Sequence, residues 1–514
     1  MADIRSRDYA EISSVQFLTL PVDVILDIIL HLDVQDILVL QGTCRFLQEI
    51  TEMRTVWLSA IHRRILSNGL SLPLPHDVPL SQLPAAGLKA VAIYVVRLDL
   101  NWKSPRARPC KLLELSPETP AVYVQFAFLV PGTAGRCLLT VTGGSMISFW
   151  ELDSRLRRSK RVGGWTVEGS IVDVVCNSDP TDPATIGVRT VSQGRKVVVL
   201  YNVSMRGSNG TTKLEFKEIF RMGTLGRLKL LRGNLIVFYA RINSFGCLYN
   251  YRTGVSVGME THGLAKLVRA TCLAIEVLSD YIIIIQPTSV DLFELPEVVT
   301  QNDVENPPDG GPHPIISARL VKTKCRPPQS EWTAGAIIPY TAPYPAKRST
   351  PASRPISILI RERSENKCVI HYHIVYPPKG LAPVGSDAPW RHPGLDTGFR
   401  PAQMRYGVRQ HFFQEIVVAP ASGRGLWLEN VTAPGMTHTA ERLMIFSTVP
   451  PTKGDEWPMV DIGDANREGS IRWSAKNFPE AVRYCSFCSF DDSVGRVVVA
   501  TQDGRVRVLE MAPS

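Results

Sequence analysis

The chain has 514 residues, of which 44% are hydrophobic and 20% charged; this composition is typical of folded globular proteins and excludes a generally disordered chain. At about 150 residues per domain, the length suggests about three units, or one large repeat domain. The formal charge of +9 is uneven, because residues 1–66 hold 6 Arg or Lys against 9 Asp or Glu, which leaves +12 for the rest. An acidic head on a basic body indicates two domains with different partners. A nucleic-acid binder would instead show a concentrated basic stripe with interleaved aromatics, so we do not expect nucleic acid as a partner.

The ten cysteines are scattered without regular spacing, and the polar N-terminus does not resemble a secretory signal. The longest apolar runs, such as residues 282–285, are far shorter than the roughly 20 residues that span a bilayer. These features predict reduced cysteines, no contact with a membrane, and a location in the cytoplasm, the nucleus or both. We expect residues 1–15 to be disordered.

Apolar residues recur at helical spacing between Phe17 and Ile65, beginning with Leu20-Pro21. Three such sets with almost no linker between them predict three short helices in a domain that covers residues 16–66. A domain this small cannot enclose all of its apolar surface, so something else must cover part of it. The residues alone leave open whether that cover is a partner protein or the rest of the chain.

The segment from Leu20 to Ile61 resembles the F-box, whose pattern is Leu-Pro, an acid two residues later, apolar pairs, an Asp-Leu pair, Cys/Ser-Arg and a late Trp. The matching positions are Leu20, Pro21, Asp23, Val24, Ile28, Ile29, Leu32, Asp36, Ile37, Leu40, Thr43, Cys44, Arg45, Phe46 and Trp57. Two departures are mild: Asp23 stands where Glu is commoner, and Gly42 interrupts the junction between the second and third helices.

The resemblance implies a non-catalytic substrate receptor of a cullin-RING (SCF-type) ubiquitin ligase, which binds the cullin adaptor through the F-box and thereby joins the cullin-RING assembly. The residues that it implies for adaptor binding are Leu20, Pro21, Val24, Ile28, Ile29, Leu32, Ile37, Leu40, Cys44, Arg45, Phe46 and Trp57. The resemblance covers less than a tenth of the chain, so the protein substrate stays unknown.

A connector follows the head over residues 67–105. Residues 67–84 contain four prolines, each of which fixes its own backbone and disfavours helix before it, so we predict a turn-rich linker. The stretch from Ala85 to Trp102 then returns to a helical pattern and predicts one helix.

After residue 106, short runs rich in Val and Ile alternate with turn residues, which predicts a predominantly β domain over residues 106–514. Three segments that begin at Arg136, Ser279 and Gly495 align without gaps as strand, tight turn and strand. Four weaker copies raise the number of predicted hairpins to seven. They lie at residues 187–203, 235–238 with 247–251, 356–360 with 369–375, and 425–428 with 442–446.

Two further strands per hairpin would complete four-stranded blades. We therefore predict an α+β multidomain chain, with a three-helix F-box followed by a β-propeller of six to eight blades, seven by the count of hairpins. The body resembles a degenerate WD-repeat propeller, since Phe149-Trp150-Glu151-Leu152 stands where that family often has its Trp-Asp pair. A pair of β-sandwiches is the competing architecture.

Two features of the body suggest recognition surfaces. The basic run from Arg155 to Arg161 follows a hairpin; we interpret it as a solvated loop, with a nuclear-import signal or a contact with an acidic partner as alternatives. The long proline-rich loops after residue 300 are the preferred location for substrate binding, because loops on a rigid scaffold commonly carry recognition.

Candidate catalytic and metal sites are weak. On a strand, Cys485 and Cys488 should point to opposite faces, which argues against a redox pair or a zinc site. His371 and His373 should share a strand face, but no carboxylate is evident nearby to complete a metal site. We interpret Gly143-Gly144 and Gly163-Gly164 as turn residues, and find no nucleophile elbow, phosphate loop or zinc-protease motif. The sequence therefore predicts no catalytic residue, metal or cofactor.

Two alternatives to the receptor remain open. One is a small-molecule enzyme with its site in the central pocket of the propeller. The other is an F-box protein that acts as an interaction scaffold outside any ligase.

Overall fold

The computed structural model describes twenty stretches of the chain. They are residues 20–104, 109–115, 123–153, 156–208, 211–224, 226–240, 245–260, 272–278, 280–300, 315–325, 331–339, 356–364, 367–375, 398–399, 416–418, 424–432, 439–448, 471–476, 485–501 and 503–512. We call residues 20–66 the helical head, residues 67–104 the connector, and the strands from residue 111 onward the sheet body. The segment expected to be disordered, residues 1–15, lies outside the described residues.

The helical head contains four short α-helices. They are α1 (Val22–Leu30), α2 (Val34–Gln41), α3 (Arg45–Thr51) and α4 (Arg54–Ala60). A π-helical turn, Ile61–Ile65, and a 3-10 turn, Leu66–Asn68, follow. The prediction of three helices was one too few, because the backbone of Met53 is extended, with a ψ of 137°, and separates α3 from α4.

The connector crosses from the head to the sheet body. A 3-10 turn, Leu80–Gln82, precedes helix α5, Ala85–Lys103, which covers the stretch predicted to be one helix. The N-terminal half of α5 contributes Leu88 and Val95 to the hydrophobic core of the head. Its C-terminal half contributes Leu98 and Trp102 to the core of the sheet that holds the last strands of the chain. The helix is therefore shared between two cores.

Seven β-sheets occur within the described part of the body. Six have four strands, and the third has five. The first sheet contains β2 (Val124–Leu129), β3 (Cys137–Thr142), β4 (Met146–Leu152) and β5 (Ser159–Thr166). The second contains β6 (Ser170–Cys176), β7 (Ile186–Ser192), β8 (Arg195–Ser208) and β9 (Thr211–Gly223). The third contains β10 (Arg227–Arg232), β11 (Leu235–Ala240), β12 (Phe245–Asn250), β13 (Ser256–Glu260) and β17 (Ile315–Ser317). Within each sheet, strands that follow one another along the chain pair antiparallel, and β17 joins β13 in parallel.

Four more sheets complete the body. The fourth contains β14 (Ala274–Val277), β15 (Tyr281–Ile285), β16 (Ser289–Glu294) and β18 (Leu320–Cys325), with a short helix α6 (Glu297–Thr300) after β16. The fifth and sixth contain β19 (Glu331–Pro339), β20 (Ile356–Ser364), β21 (Lys367–Val375) and β22 (Gly398–Phe399); and β23 (Ile416–Val418), β24 (Arg424–Thr432), β25 (Thr439–Thr448) and β26 (Ile471–Lys476). The seventh contains β27 (Cys485–Asp491), β28 (Arg496–Thr501), β29 (Val506–Glu510) and, from the start of the body, β1 (Lys111–Leu115).

Each of the seven predicted hairpins forms the second and third strands in the order of a different sheet, and in the six four-stranded sheets these are the two middle strands. The three segments that align without gaps correspond to β3 with β4, β15 with β16, and β28 with β29. Neighbouring side chains of these strands point to opposite faces of the sheet, and the side chains on both faces are buried, as the Val- and Ile-rich runs require.

Consecutive sheets pack face to face through shared hydrophobic clusters. Residues of the first sheet share a cluster with the second, the second with the third, the third with the fourth, and the fourth with the fifth. Strand β23 contacts both β19 and β27, which continues the series through the sixth sheet to the seventh. The seventh sheet shares a further cluster with the first, in which Val498 lies with Leu138. The series therefore returns to its starting sheet.

The segment around Gly163-Gly164 corrects two expectations. These glycines lie inside β5 and not in a turn, and the strand also holds Lys160 and Arg161 from the basic run that we interpreted as a loop. A Cβ at Gly163 would lie 3.2 Å from Leu214 of β9, and one at Gly164 would lie 2.7 Å from the carbonyl oxygen of Ile147. Glycine is therefore required for close packing at this position.

A buried ion pair fixes α5 to the sheet body. The Nη2 atom of Arg424, whose side chain is 1% exposed, lies 2.7 Å from Oδ1 of Asp99 on α5. Near it, the Tyr94 hydroxyl donates to the carbonyl oxygen of Val494 at 2.8 Å, and Trp102 stacks on Phe490 with ring centroids 4.9 Å apart. Burial raises the pKa of Tyr94, so this hydroxyl stays protonated as a donor across the physiological range.

Removing the charge of Asp99 should weaken the contact between α5 and the sheet body. We expect Asp99→Asn to lower the free energy of unfolding by about 3–5 kcal/mol, because it leaves the charge of a buried guanidinium without its carboxylate. The control is Arg45→Ala, which breaks an ion pair whose side chains are 92% and 64% exposed and should cost less than about 1 kcal/mol. Urea unfolding followed by fluorescence measures both; equal losses would show that the Asp99 pair does not stabilise this contact.

Candidate functional site

The core of the helical head is built from one apolar face of each helix. Its buried members on the helices are Ile25, Ile29, Val34, Ile37, Leu47, Ile50, Val56, Trp57 and Ala60, and α5 closes it with Leu88, Val91, Ala92 and Val95. Trp57 is fully buried, and the Lys89 ammonium of α5 lies 5.8 Å from the centroid of its ring. The same ammonium donates to Oε1 of Gln41 at 2.7 Å, which ties α5 to the end of α2.

Two arginines hold the loops of the head in place. The guanidinium of Arg54 donates to the carbonyl oxygens of Leu80, Ser81 and Leu83, so it joins the start of α4 to the connector. Arg64 donates to carbonyl oxygens at the C-terminal end of α1 and lies 3.3 Å from Oδ1 of Asp33. A cation at the carbonyl end of a helix is favourable, because it meets the negative end of the helix dipole. The corner between α1 and α2 is therefore fixed.

The residues implied for adaptor binding divide into three groups by exposure. Those on the surface are Pro21, Val24, Ile28, Arg45 and Phe46, and those half-buried are Leu20, Leu32, Leu40 and Cys44. Ile29, Ile37 and Trp57 are buried in the core, with at most 1% of each residue exposed. These three contact the head's own side chains, so we assign them to packing and not to the contact surface.

The exposed apolar residues form the candidate site. Val24 is 43% exposed and Ile28 is 37% exposed, and they lie one helical turn apart on α1, so their side chains are neighbours. Phe46, on α3, is 37% exposed. Exposure of such apolar side chains to water is unfavourable, and the free energy falls when a partner covers them.

Three exposed apolar residues were missed by the sequence analysis. Val22 is 40% exposed, Val39 is 71% exposed and Met53 is 44% exposed. Val39 could have been found from helical spacing, because it lies one helical turn after Gln35 and Asp36 and is the one apolar side chain on that exposed face of α2. We name the set of Val22, Val24, Ile28, Val39, Phe46 and Met53 the head apolar surface.

The comparison with protein-family models decides what this module is. The model described as F-box-like matches residues 17–61, which span α1 to α4 and the start of the π-helical turn. The head of this chain is an F-box-like domain. An F-box in general binds the adaptor of an SCF-type ubiquitin ligase and marks a substrate receptor, which is typically non-catalytic. No curated protein matches the chain.

The pair Cys485 and Cys488 differs from its prediction. Both thiols are buried and both belong to the cluster that packs under α5, so they lie on the same side of the seventh sheet. The reason is a β-bulge between Cys485 and Phe487, which adds one residue and shifts the alternation of the strand. Burial raises the pKa of the Cys488 thiol well above its usual value, which favours the unreactive protonated form.

Other candidate sites can be placed only in part. His371 and His373 occupy register positions two apart on β21, opposite Ile360 and Ile358. No group of three or more His, Cys, Asp or Glu side chains in the described stretches is arranged to hold a metal ion. The same stretches include no helix that combines the length and the apolar character needed to cross a membrane. The proline-rich loops after residue 300 fall largely outside the described residues.

Proposed function

We propose that this F-box protein is the substrate-receptor subunit of an SCF-type cullin-RING ubiquitin ligase, which binds the cullin adaptor through its head and a protein substrate through its sheet body. The observation that carries the proposal is the head apolar surface, because it lies on the segment that matches the F-box-like family. The residues proposed to contact the adaptor are Leu20, Pro21, Val24, Ile28, Leu32, Leu40, Cys44, Arg45 and Phe46, with the addition of Val22, Val39 and Met53. The proposed location is the cytoplasm, the nucleus or both.

The sheet body is proposed to be a seven-bladed β-propeller. Three features support it: the repeated four-stranded unit, the packing of each sheet on the next, and the pairing of β1 with β29. In that pairing Glu114 lies opposite Arg507, so the first strand of the body completes the last sheet. A ring closed in this way protects sheet edges that an open row of sheets would expose. Trp150, at the position of the WD-repeat tryptophan, donates its indole N–H to Thr140 at 2.9 Å and links the middle strands of the first blade.

The shared helix α5 explains how such a receptor would act. Because α5 is packed into the core of the head and into the core of the seventh sheet, the adaptor surface and the sheet body are held at a fixed separation. A receptor contributes to ubiquitin transfer by proximity, since it raises the local concentration of a substrate lysine beside the charged ubiquitin carrier. A rigid connection between head and body keeps that local concentration high, whereas a flexible linker would lower it.

The test is assembly from purified components. Size-exclusion chromatography of the full chain with recombinant adaptor, and then with adaptor and cullin, should give co-elution of two and then three proteins. Adaptor binding without cullin would favour an interaction scaffold outside any ligase. If no adaptor binds, the receptor function is wrong, and an enzyme with a site at the centre of the sheet body becomes the hypothesis to test.

A further inference from the structure

One corner of the first sheet carries four exposed basic side chains, against one exposed acid, Asp153, in the same turn and one half-buried acid, Glu151, opposite Lys160. Arg136 lies in the turn between β2 and β3, Arg157 and Arg158 lie in the turn between β4 and β5, and Lys160 follows at the start of β5. All four are exposed, and none forms an ion pair with another residue that the structure describes. Both turns lie at the same end of the sheet because the strands are antiparallel. We call these four residues the basic corner.

The described part of the β4–β5 turn is anchored at Leu156, next to two of these charges. Leu156 is 3% exposed and packs in the cluster between the first and seventh sheets, although its φ of 50° is a left-handed conformation that a side chain disfavours. The Leu156 N–H donates to the carbonyl oxygen of Asp153 at 2.9 Å. The Asp153 N–H donates to the carbonyl oxygen of Arg158 at 3.1 Å. Arg157 and Arg158 are therefore presented at a fixed position next to a buried anchor.

A second element reaches the same end of the first sheet. The long hairpin of β8 and β9 runs along β5, where Leu214 packs against Gly163 and Phe216 lies 3.8 Å from Trp165 between ring centroids. From Gly163 to Trp165 along β5, the contact moves from Leu214 to Phe216 along β9, so the two strands run in the same direction. The start of β9, where the hairpin turns, therefore lies toward the start of β5. Strand pairing places Arg206 opposite Lys213 near that end.

Protection of a sheet edge explains only part of this pattern. Charged side chains on an edge strand hinder edge-to-edge aggregation, and Lys160 on β5 is suited to that role. Arg157 and Arg158 precede the strand, however, and contribute no charge along its edge. Neighbouring guanidinium groups at a fixed position are suited to carboxylates and phosphates, which they bind through paired hydrogen bonds.

We infer that the basic corner binds an acidic segment of the protein substrate; this inference rests on the proposed receptor function. The basic corner lies at the end of the sheets where the connector packs, since the N–H of His76 donates to the carbonyl oxygen of Gly132 in the β2–β3 turn at 3.2 Å. A segment bound there is held on the side of the body that carries the F-box. A short charged patch on two turns fits a peptide better than a duplex, which needs a longer basic stripe.

The test is fluorescence anisotropy of the full chain with four labelled probes of similar length: a glutamate-rich peptide, a peptide with several phosphoserines, the glutamine counterpart of the first, and a DNA duplex. We expect an acidic peptide to bind, the glutamine peptide not to bind, and the affinity to fall as salt rises. Whether glutamate or phosphoserine binds more tightly identifies the source of the negative charge. The double substitution Arg157→Gln and Arg158→Gln should weaken binding of the acidic peptide at least about fivefold.

The matched control is the double variant Arg195→Gln and Lys196→Gln. It removes two adjacent exposed charges at the β7–β8 turn, which lies at the other end of the sheets. This variant should change the affinity less than about twofold. Equal loss in both variants, no binding of either acidic peptide, or tighter binding of DNA that depends on Arg157 and Arg158 would overturn the inference. Adaptor co-elution is measured on the same variants and should be unchanged. Failure of adaptor binding in the unaltered chain would thus count against the receptor function separately from the result at the basic corner.

Discussion

Replacing Val24 and Ile28 by serine should strongly weaken binding of the cullin adaptor while leaving the chain folded. Both side chains are exposed on α1, so the substitutions remove apolar contact area without opening a cavity. The loss of two apolar contacts of this size corresponds to about 2 kcal/mol or more, which is about 30-fold or more in Kd. Isothermal titration calorimetry of the full chain with recombinant adaptor measures the change.

Two further variants show whether the effect belongs to the surface. Ile29→Ala, one residue along the helix, should instead lower the free energy of unfolding by about 2–5 kcal/mol, because Ile29 is fully buried. Leu112→Ser removes an exposed apolar side chain of β1, 54% exposed and in the sheet body, and should leave adaptor binding unchanged. The assignment of α1 to the contact would be contradicted if the double serine variant bound as tightly as Leu112→Ser.

Cysteines introduced at Glu114 and Arg507 should form a disulfide that closes the sheet body. The two residues are directly opposite on β1 and β29, and Nε of Arg507 lies 3.1 Å from Oε2 of Glu114, so both side chains are on the same face. The loop closed by this bond spans 393 residues, for which the chain-entropy treatment gives stabilisation of about 6 kcal/mol. Replacing the exposed Cys110 by serine in every variant removes a competing thiol close to the pair.

The matched control pairs Leu113→Cys with Arg507→Cys. Leu113 is next to Glu114 on β1 but faces the other side of the sheet, so this pair should stay reduced under the same mild oxidation. Mass spectrometry under reducing and non-reducing conditions counts the bonds, and thermal unfolding measures the gain in Tm. Cross-linking of neither pair would contradict the proposed closure of the sheet body through the pairing of β1 with β29.

The repeated hairpins could be predicted because each middle strand is buried on both faces and therefore carries an unbroken apolar run. The outer strands could not be predicted in the same way. Strand β5, for example, contains Gly163, Gly164 and basic residues; it pairs along β4, and Leu214 of β9 packs closely against Gly163. Contacts of that kind join segments about 50 residues apart, which a local pattern does not show.

The candidate site was predicted at the level of the segment and less well at the level of the residue. Seven of the nine residues of α1 are apolar, so helical spacing alone does not decide that Ile29 faces inward while Ile28 faces outward. The extended backbone at Met53, which ends α3 and re-aims α4, is likewise a tertiary outcome. The bulge that brings Cys485 and Cys488 to one side of β27 has no marker such as glycine in the sequence.

The most direct test of the receptor function is quantitative affinity purification of the tagged chain from cells, with the Val24→Ser and Ile28→Ser double variant and Leu112→Ser alongside. We expect adaptor and cullin to co-purify with the native chain and with Leu112→Ser, and both to be lost from the double variant. Cullin absent from the native chain, or retained in full by a folded double variant, would contradict the receptor function.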